Sequence, residues 1–163
     1  MSNLIPSHLT NMALIIKGNI RAGIFPKVDL PTLKRKMETI RPPGTSHPIE
    51  VDMGPDGALI MKLESSELEP LILADYGICN GQQARIHLKS AFKQPTNCSL
   101  NKHEVLAQGT WTEISLGSQE IGSKVSRSYT LSCLTFRYLI NGKVIIDIDA
   151  LAADPKEKEL LGL

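Results

Sequence analysis

The chain has 163 residues, 18 Lys plus Arg against 17 Asp plus Glu, and 42% hydrophobic residues. That length fits one domain with a sizeable core, and the composition excludes a disordered, collagen-like or coiled-coil chain. No apolar run nears the roughly 20 residues of a membrane helix, and a formal net charge of +1 lacks the basic excess by which a free-standing nucleic-acid binder neutralises phosphates.

Met1 to Pro6 shows neither a basic segment nor a sustained apolar one, so no secretory signal is expected and the chain is expected to be made and kept in a cytoplasm. Met12 to Lys17 is an apolar run stopped by Gly18-Asn19, and Ile20 to Phe25 resumes it, which predicts a hairpin. Thr32 to Ile40 sits between Pro31 and Pro42-Pro43, which favour an extended segment over a helix. Arg41-Pro42-Pro43-Gly44-Thr45-Ser46-His47-Pro48 is the most loop-like stretch, because its prolines cannot join a central ladder. Ile49 to Met53 alternates apolar and acidic residues, as a half-buried strand does, and Pro55-Asp56-Gly57 is a turn. From Ala58 to Glu64, strand periodicity places Leu59, Met61 and Leu63 on one face.

One helix is predicted between Ser66 and Tyr76. Ser66 and Glu69 have capping-box spacing, Pro70 suits the first turn, and Glu69 is an alternative start. Leu68, Leu71, Ile72 and Tyr76 would form its apolar stripe, and Gly77 its stop. Gln83 to Phe92 alternates Ala84, Ile86 and Leu88 against Arg85, His87 and Lys89. Glu104 to Ser115 is a long strand interrupted at Gly109, and Leu116 to Lys124 is a loop. Ser126 to Ile140 and Lys143 to Ile148 flank Asn141-Gly142, the strongest hairpin signal, since both central residues of a type I′ turn need positive φ. Residues 150–163 form a tail whose Asp154 to Glu159 run is charged and expected to be a short helix or a frayed end. The sum is seven to nine strands and one flanking helix, a mainly β antiparallel barrel or sandwich over residues 1–163.

The chemistry-bearing residues assemble into no active site. His8, His47, His87 and His103 lack metal-ligand spacing, and Cys79, Cys98 and Cys133 are odd in number without a CxxC pair. No nucleophile elbow, P-loop or dinucleotide fingerprint occurs, so neither an enzyme nor any metal or cofactor is expected. Asp147 and Asp149 share a strand face and read as solvated carboxylates; Arg85, His87 and Lys89 read as an outer face or a contact with an acidic neighbouring subunit. Trp111 is the sole tryptophan, a core or interface anchor, and 4% aromatics is too few for a base-stacking platform. What remains is strand edges and a stiff loop, features of a part that pairs with copies of itself.

Two blocks carry a family likeness. The first is Leu30-Pro31-Thr32-Leu33-Lys34-Arg35-Lys36-Met37-Glu38, followed by Pro48-Ile49-Glu50-Val51-Asp52-Met53-Gly54. The second is Phe136 to Lys143 around Asn141-Gly142, then Ile148-Asp149, with Leu161-Gly162-Leu163 at the end. In order and at this spacing they resemble the major tail tube protein family of contractile-tailed phages, which also supplies the tubes of R-type tailocins. The pattern is matched by Leu30, Pro31, Leu33, Lys36 and Glu38, then Asp52, Met53 and Gly54, then Asn141, Gly142 and Asp149. Pro42-Pro43 stands where the family usually has small residues and glycine.

The resemblance implies a non-enzymatic structural protein of the virion tail. Six copies would form a ring, and rings would stack into a hollow tube inside a tail sheath protein, bounded by baseplate and tail terminator proteins. Each copy would lend strands to a continuous barrel, with the tube shared in fold with type VI secretion. DNA in a phage, or ions in a tailocin, would pass without specific binding, and the chain itself would not insert into a membrane. Residues 41–48 would project as the ring-stacking loop, since prolines lower the entropy lost on docking. The inner wall should be polar and neutral or acidic, with Lys34, Lys36, Arg85 and Lys89 at protein interfaces or outside. The alternative is a small-ligand-binding β-barrel acting alone.

Overall fold

The computed structural model describes residues 5–77, 84–152 and 162. The first hairpin is β1 (His8–Ile16) and β2 (Asn19–Ala22). Its turn is Lys17-Gly18, one residue earlier than predicted, with φ of 49° and 79°. β3 (Lys27–Asp29) is a strand too short to show any period, and it has no counterpart in the sequence reading. β4 (Arg35–Ile40) begins three residues later than expected, and β5 (Ile49–Pro55) runs two residues further. β6 (Leu59–Ser65) precedes α1 (Pro70–Asp75). Then come β7 (Ala84–Lys93), β8 (Leu100–Ser115), β9 (Arg127–Ile140) and β10 (Lys143–Asp149). Asn141 and Gly142 have φ of 50° and 82°, the type I′ pair that the dipeptide predicted.

Eight strands form one antiparallel sheet in the order β2-β1-β7-β8-β9-β6-β3, with β10 also on β9. The long strand β9 divides one of its edges: residues 127–133 pair with β6 and residues 135–140 with β10. β8 is bulged where it passes this break, between Gln108 and Gly109 and again between Trp111 and Glu113. Bulges bend a strand and raise its twist, so the sheet curls into a half-barrel. Gly109 is required there: a Cβ at this position would lie 1.9 Å from the Ser132 carbonyl oxygen. The strand therefore continues through Gly109, which marks a close approach instead of an interruption.

The inside of the curl is the core. Alternate residues enter it from β1, β6, β7, β8 and β9, among them Leu14, Met61, Ile86, Val105 and Leu131. Ile72 of α1, Trp111 and Tyr129 complete it, with Tyr129 meeting Phe25 and Trp111 edge-on. Ala84, Ile86 and Leu88 point inward as the alternation predicted.

Of the two starts the sequence offers, the helix takes the second: its N-cap is Glu69 and not Ser66, and the Glu69 carboxylate accepts from the Leu71 N–H at 3.3 Å. Ser66 instead offers its carbonyl to Arg127 Nη1 at 2.6 Å. The buried stripe is also narrower, because Leu68 and Tyr76 are exposed and Ile72 alone is fully buried. The charged run Asp154 to Glu159, along with Leu161, Leu163 and Cys79, lies outside the described residues.

Candidate assembly surfaces

β4 and β5 make a two-stranded ribbon that pairs with no other strand. Residues 41–48 are its tip. Gly44 has φ of 84°, and the turn is closed by the Thr45 N–H and hydroxyl on the Pro42 carbonyl at 3.3 and 2.7 Å. Ser46 Oγ lies 2.9 Å from His47 Nδ1, while Arg41, Pro43 and Pro48 are exposed. The pairings Ile40 to Ile49 and Glu38 to Val51 put four apolar residues on one face of the ribbon, namely Ile40, Ile49, Val51 and Met53. The pairings Thr39 to Glu50 and Met37 to Asp52 make the other face mainly polar. Met53 is 56% exposed and Ile49 49%, so the chain covers the apolar face poorly by itself.

The base of the ribbon is held electrostatically. Arg35 Nε donates to Asp52 Oδ2 at 2.7 Å, and the Gly54 N–H donates to Asp52 Oδ1 at 2.8 Å. Gly54 has φ of 107°, which disfavours a side chain there. Leu30 and Leu33 are exposed beside it, as are Lys36 and Glu38 on β4, and Pro31 is half-buried. The second block is fixed just as locally. The Asn141 N–H donates to the Lys102 carbonyl and its side chain accepts from the Lys102 N–H, both at 2.8 Å, so the β9–β10 turn is clamped to β8. Asp149 caps the turn after β10 by accepting from the Leu151 N–H at 3.0 Å. Asp147 is paired with Arg137 at 3.1 Å, so of the two carboxylates read as solvated, one is in an ion pair and the other is a cap.

The outer side of the sheet has two unlike regions. Across β1, β7, β8, β9 and β10 runs a trough of about 1050 Å³, lined by Ile15, Arg85, His87, Leu106, Arg137 and Asp147 among others. Lys89, Lys102 and Glu104 continue the same strand faces. Glu104 lies 2.7 Å from Lys102 Nζ and 3.7 Å from His87 Nε2. The Lys102 hydrogen bond holds the Glu104 carboxyl below the usual carboxylate range, against the opposing effect of burial. Arg85 makes no ion pair or hydrogen bond among the described residues.

Beyond the bulges, β3, β6, β9 and β8 present a different outer face. Its cross-strand rows are Ile60, Ser132 and Thr110; Asp29, Lys62, Thr130 and Glu113; and Lys27, Glu64, Ser128 and Ser115. Both lysines lie near Glu64, at 3.9 and 3.8 Å.

No group of three or more metal-ligating side chains gathers among the described residues. Cys133 is buried, which pushes its thiol up to about 11, and Cys98 is exposed. Trp111 is a core residue.

Residues 6–154 match the model of the family described as phage tail tube protein FII. The chain belongs to that family. Among curated relatives, it is 26% identical to the tail tube protein of Escherichia phage P2 over 148 residues, covering 90% of this chain and 86% of that one. It is 27% identical to the major tail tube protein of Serratia phage KSP20 over 149 residues, covering 90% and 85%. Solved structures share the fold at low identity. A chain from the sheath–tube complex of an extracellular contractile injection system superposes with a TM-score of 0.58 at 10% identity, covering 83% of this chain and 91% of that one. A chain from the sheath/tube terminator of the same system gives 0.57 at 12% identity, covering 86% and 99%. A chain from the baseplate of the anti-feeding prophage gives 0.53 at 14% identity, covering 85% and 97%. The family and both relatives agree on a structural tail tube chain.

In this tail tube protein the two sequence blocks are not adjacent: the first builds the ribbon, the second the β9–β10 edge. Sequence reading missed the polar node that joins helix to sheet. Glu69 is 2% exposed, lies 2.7 Å from Arg21 Nε, and its N–H donates to Tyr129 Oη at 3.1 Å. The capping spacing had pointed at Glu69, but nothing local marks Arg21 as its partner, 48 residues away.

Proposed function

We propose that six copies of this chain close into a ring and that rings stack into the hollow tube of a contractile tail. Residues 41–48 reach the adjacent ring, and the whole of 1–163 acts as one tube unit. The tube sits within a sheath protein and between baseplate and terminator proteins, in the virion tail of a phage or in a tailocin particle. DNA or ions pass along it after sheath contraction.

The observation that carries this reading is the β4–β5 ribbon, whose apolar face is open to solvent. A lone two-stranded ribbon is marginal in water. Covering Ile40, Ile49, Val51 and Met53 with a second copy removes about 25 cal/mol of unfavourable exposure per Å² buried. Head-to-tail contacts close into rings or open into filaments according to the rotation, and a stacked tube uses both. The solitary ligand-barrel reading is weaker, because the inside of the curl is filled by residues such as Met61, Leu63 and Leu131 at 0% exposure.

Negative-stain class averages of intact particles carrying this polypeptide test the reading. Six-fold annuli and stacked rings are expected; particles in which the chain forms no six-fold ring overturn it. Isolated chain that stays monomeric until a baseplate nucleates it is compatible with the proposal, so the particle is the deciding sample.

A further inference from the structure

We propose that Asn141-Gly142, the turn between β9 and β10, is a latent deamidation site, and that its clamp to β8 keeps the site closed in the folded chain. The inference needs only the folded chain and stands apart from the ring reading.

An asparagine followed by glycine is chemically exposed, because glycine has no side chain to shield its own backbone nitrogen. The Gly142 nitrogen gives its proton to hydroxide and attacks Asn141 Cγ. A C–N bond forms, the Cγ–Nδ2 bond breaks, and the amide nitrogen leaves as ammonia. Water then opens the cyclic imide at either carbonyl. One opening gives aspartate. The other gives isoaspartate, in which the main chain runs through the former side-chain carbon. A type I′ turn fixes the dihedrals of both its central residues. The extra main-chain atom of isoaspartate would therefore break the register of β10 on β9.

The fold opposes the first step. β8 and β10 lie on opposite edges of the last residues of β9. The Asn141 side chain reaches toward β8, where Oδ1 accepts from the Lys102 N–H at 2.8 Å. The Gly142 nitrogen instead follows the chain toward β10. The attacking atom and its target are thus led apart. The other end of the amide is engaged too, with Nδ2 donating to Asn101 Oδ1 at 3.2 Å. Turning Cγ toward Gly142 breaks both bonds. The main chain is pinned as well, since the Asn141 N–H donates to the Lys102 carbonyl at 2.8 Å.

The same contacts explain why so labile a residue stands here. At φ of 50°, Asn141 has left the extended conformation of β9, and its side-chain carbonyl stands in for a strand carbonyl on the Lys102 N–H. Glycine would suit the turn but offers no side-chain acceptor, and aspartate would accept from Lys102 but could not donate to Asn101. The residue that makes both bonds is thus the one that can deamidate.

Peptide mapping of the full chain held in mildly alkaline buffer tests this. The tryptic peptide Tyr138 to Lys143 separates Asn141 from the other such pair, Asn80-Gly81, which lies outside the described residues. Deamidation at Asn141 should be about tenfold or more slower in the folded chain than in the urea-unfolded chain, since two hydrogen bonds must break first. Asn101→Ala removes one of them and should speed the folded-state reaction about two- to tenfold. Asn101→Asp keeps an acceptor in the same place and should stay slow. Far-UV circular dichroism matching the parent certifies each variant as folded. A folded parent that reacts as fast as the unfolded chain overturns the proposal. So does a folded Asn101→Ala chain no faster than the parent, or an Asn101→Asp chain as fast as Asn101→Ala. The parent comparison decides alone should the variants not fold.

Discussion

Arg21 on β2 and Glu69 at the start of α1 form the ion pair that ties the helix to the sheet, with Nε 2.7 Å from Oε2. Glu69 does three things at once: it accepts from Arg21, caps the Leu71 N–H and donates its own N–H to Tyr129 Oη. Arg21→Ala leaves a carboxylate that is 2% exposed without its cation. Breaking a buried pair from one side costs about 3–5 kcal/mol, less where one partner reaches water. Arg21 is partly exposed, so a loss of about 2–3 kcal/mol is expected, read from the urea midpoint at constant m-value.

Tyr129→Phe probes the same node from the sheet side. The hydroxyl accepts from the Glu69 N–H at 3.1 Å and donates to the Glu67 carbonyl at 3.2 Å. The ring keeps its edge-on contacts with Phe25 and Trp111 in the variant, so only the polar part is lost. Unsatisfied buried groups cost about 1–3 kcal/mol each, and a destabilisation in that range is expected by thermal or chemical unfolding. A change under about 0.5 kcal/mol, the level of an ordinary surface substitution, would mean that water replaces the hydroxyl.

How much of this was legible depended on the range of the signal. The alternation in residues 84–92, the Asn141-Gly142 turn and the 41–48 loop are local facts about φ, period and proline, and they reappear in the structure nearly unchanged. The half-barrel is not local. It depends on β9 splitting one edge between β6 and β10, and on bulges at Gly109 and Trp111 that alternation cannot announce. The Arg21–Glu69 pair spans 48 residues and leaves no trace in either neighbourhood. The blocks of family likeness were legible as text, but their placement on a separate two-stranded ribbon and on a clamped turn was not.

Gly109→Ala tests the bulge. The added methyl would sit 1.9 Å from the Ser132 carbonyl oxygen, a backbone atom that cannot swing aside. Overpacking of this kind costs about 1–3 kcal/mol or more. A lowered Tm is expected, along with faster amide exchange across residues 107–111 and 131–134.

Cys98 and Cys133 should separate by environment. Cys98 is exposed, whereas Cys133 is buried and its thiol is pushed up to about 11, so little thiolate forms at neutral pH. Mapping of iodoacetamide adducts on the native chain should find Cys98 modified within minutes and Cys133 only after denaturant is added. Equal labelling at both sites would place Cys133 at the surface.

The ribbon offers the sharpest separation of folding from assembly. Ile49 and Met53 lie on its apolar face, away from the core, and are 49% and 56% exposed in the isolated chain. Ile49→Asp or Met53→Asp should therefore leave the unfolding midpoint within about 0.5 kcal/mol of the parent, as exposed substitutions usually do. In an assembled tube the same carboxylate would be buried against a neighbour without a partner, at a cost of several kcal/mol per ion. If every copy makes that contact, the penalty repeats around and along the tube. Variant chains should purify as folded monomers and yield no tubes by electron microscopy where the parent yields them in its particle. Normal tube yield from either variant would show that the apolar face of the ribbon is not the buried one.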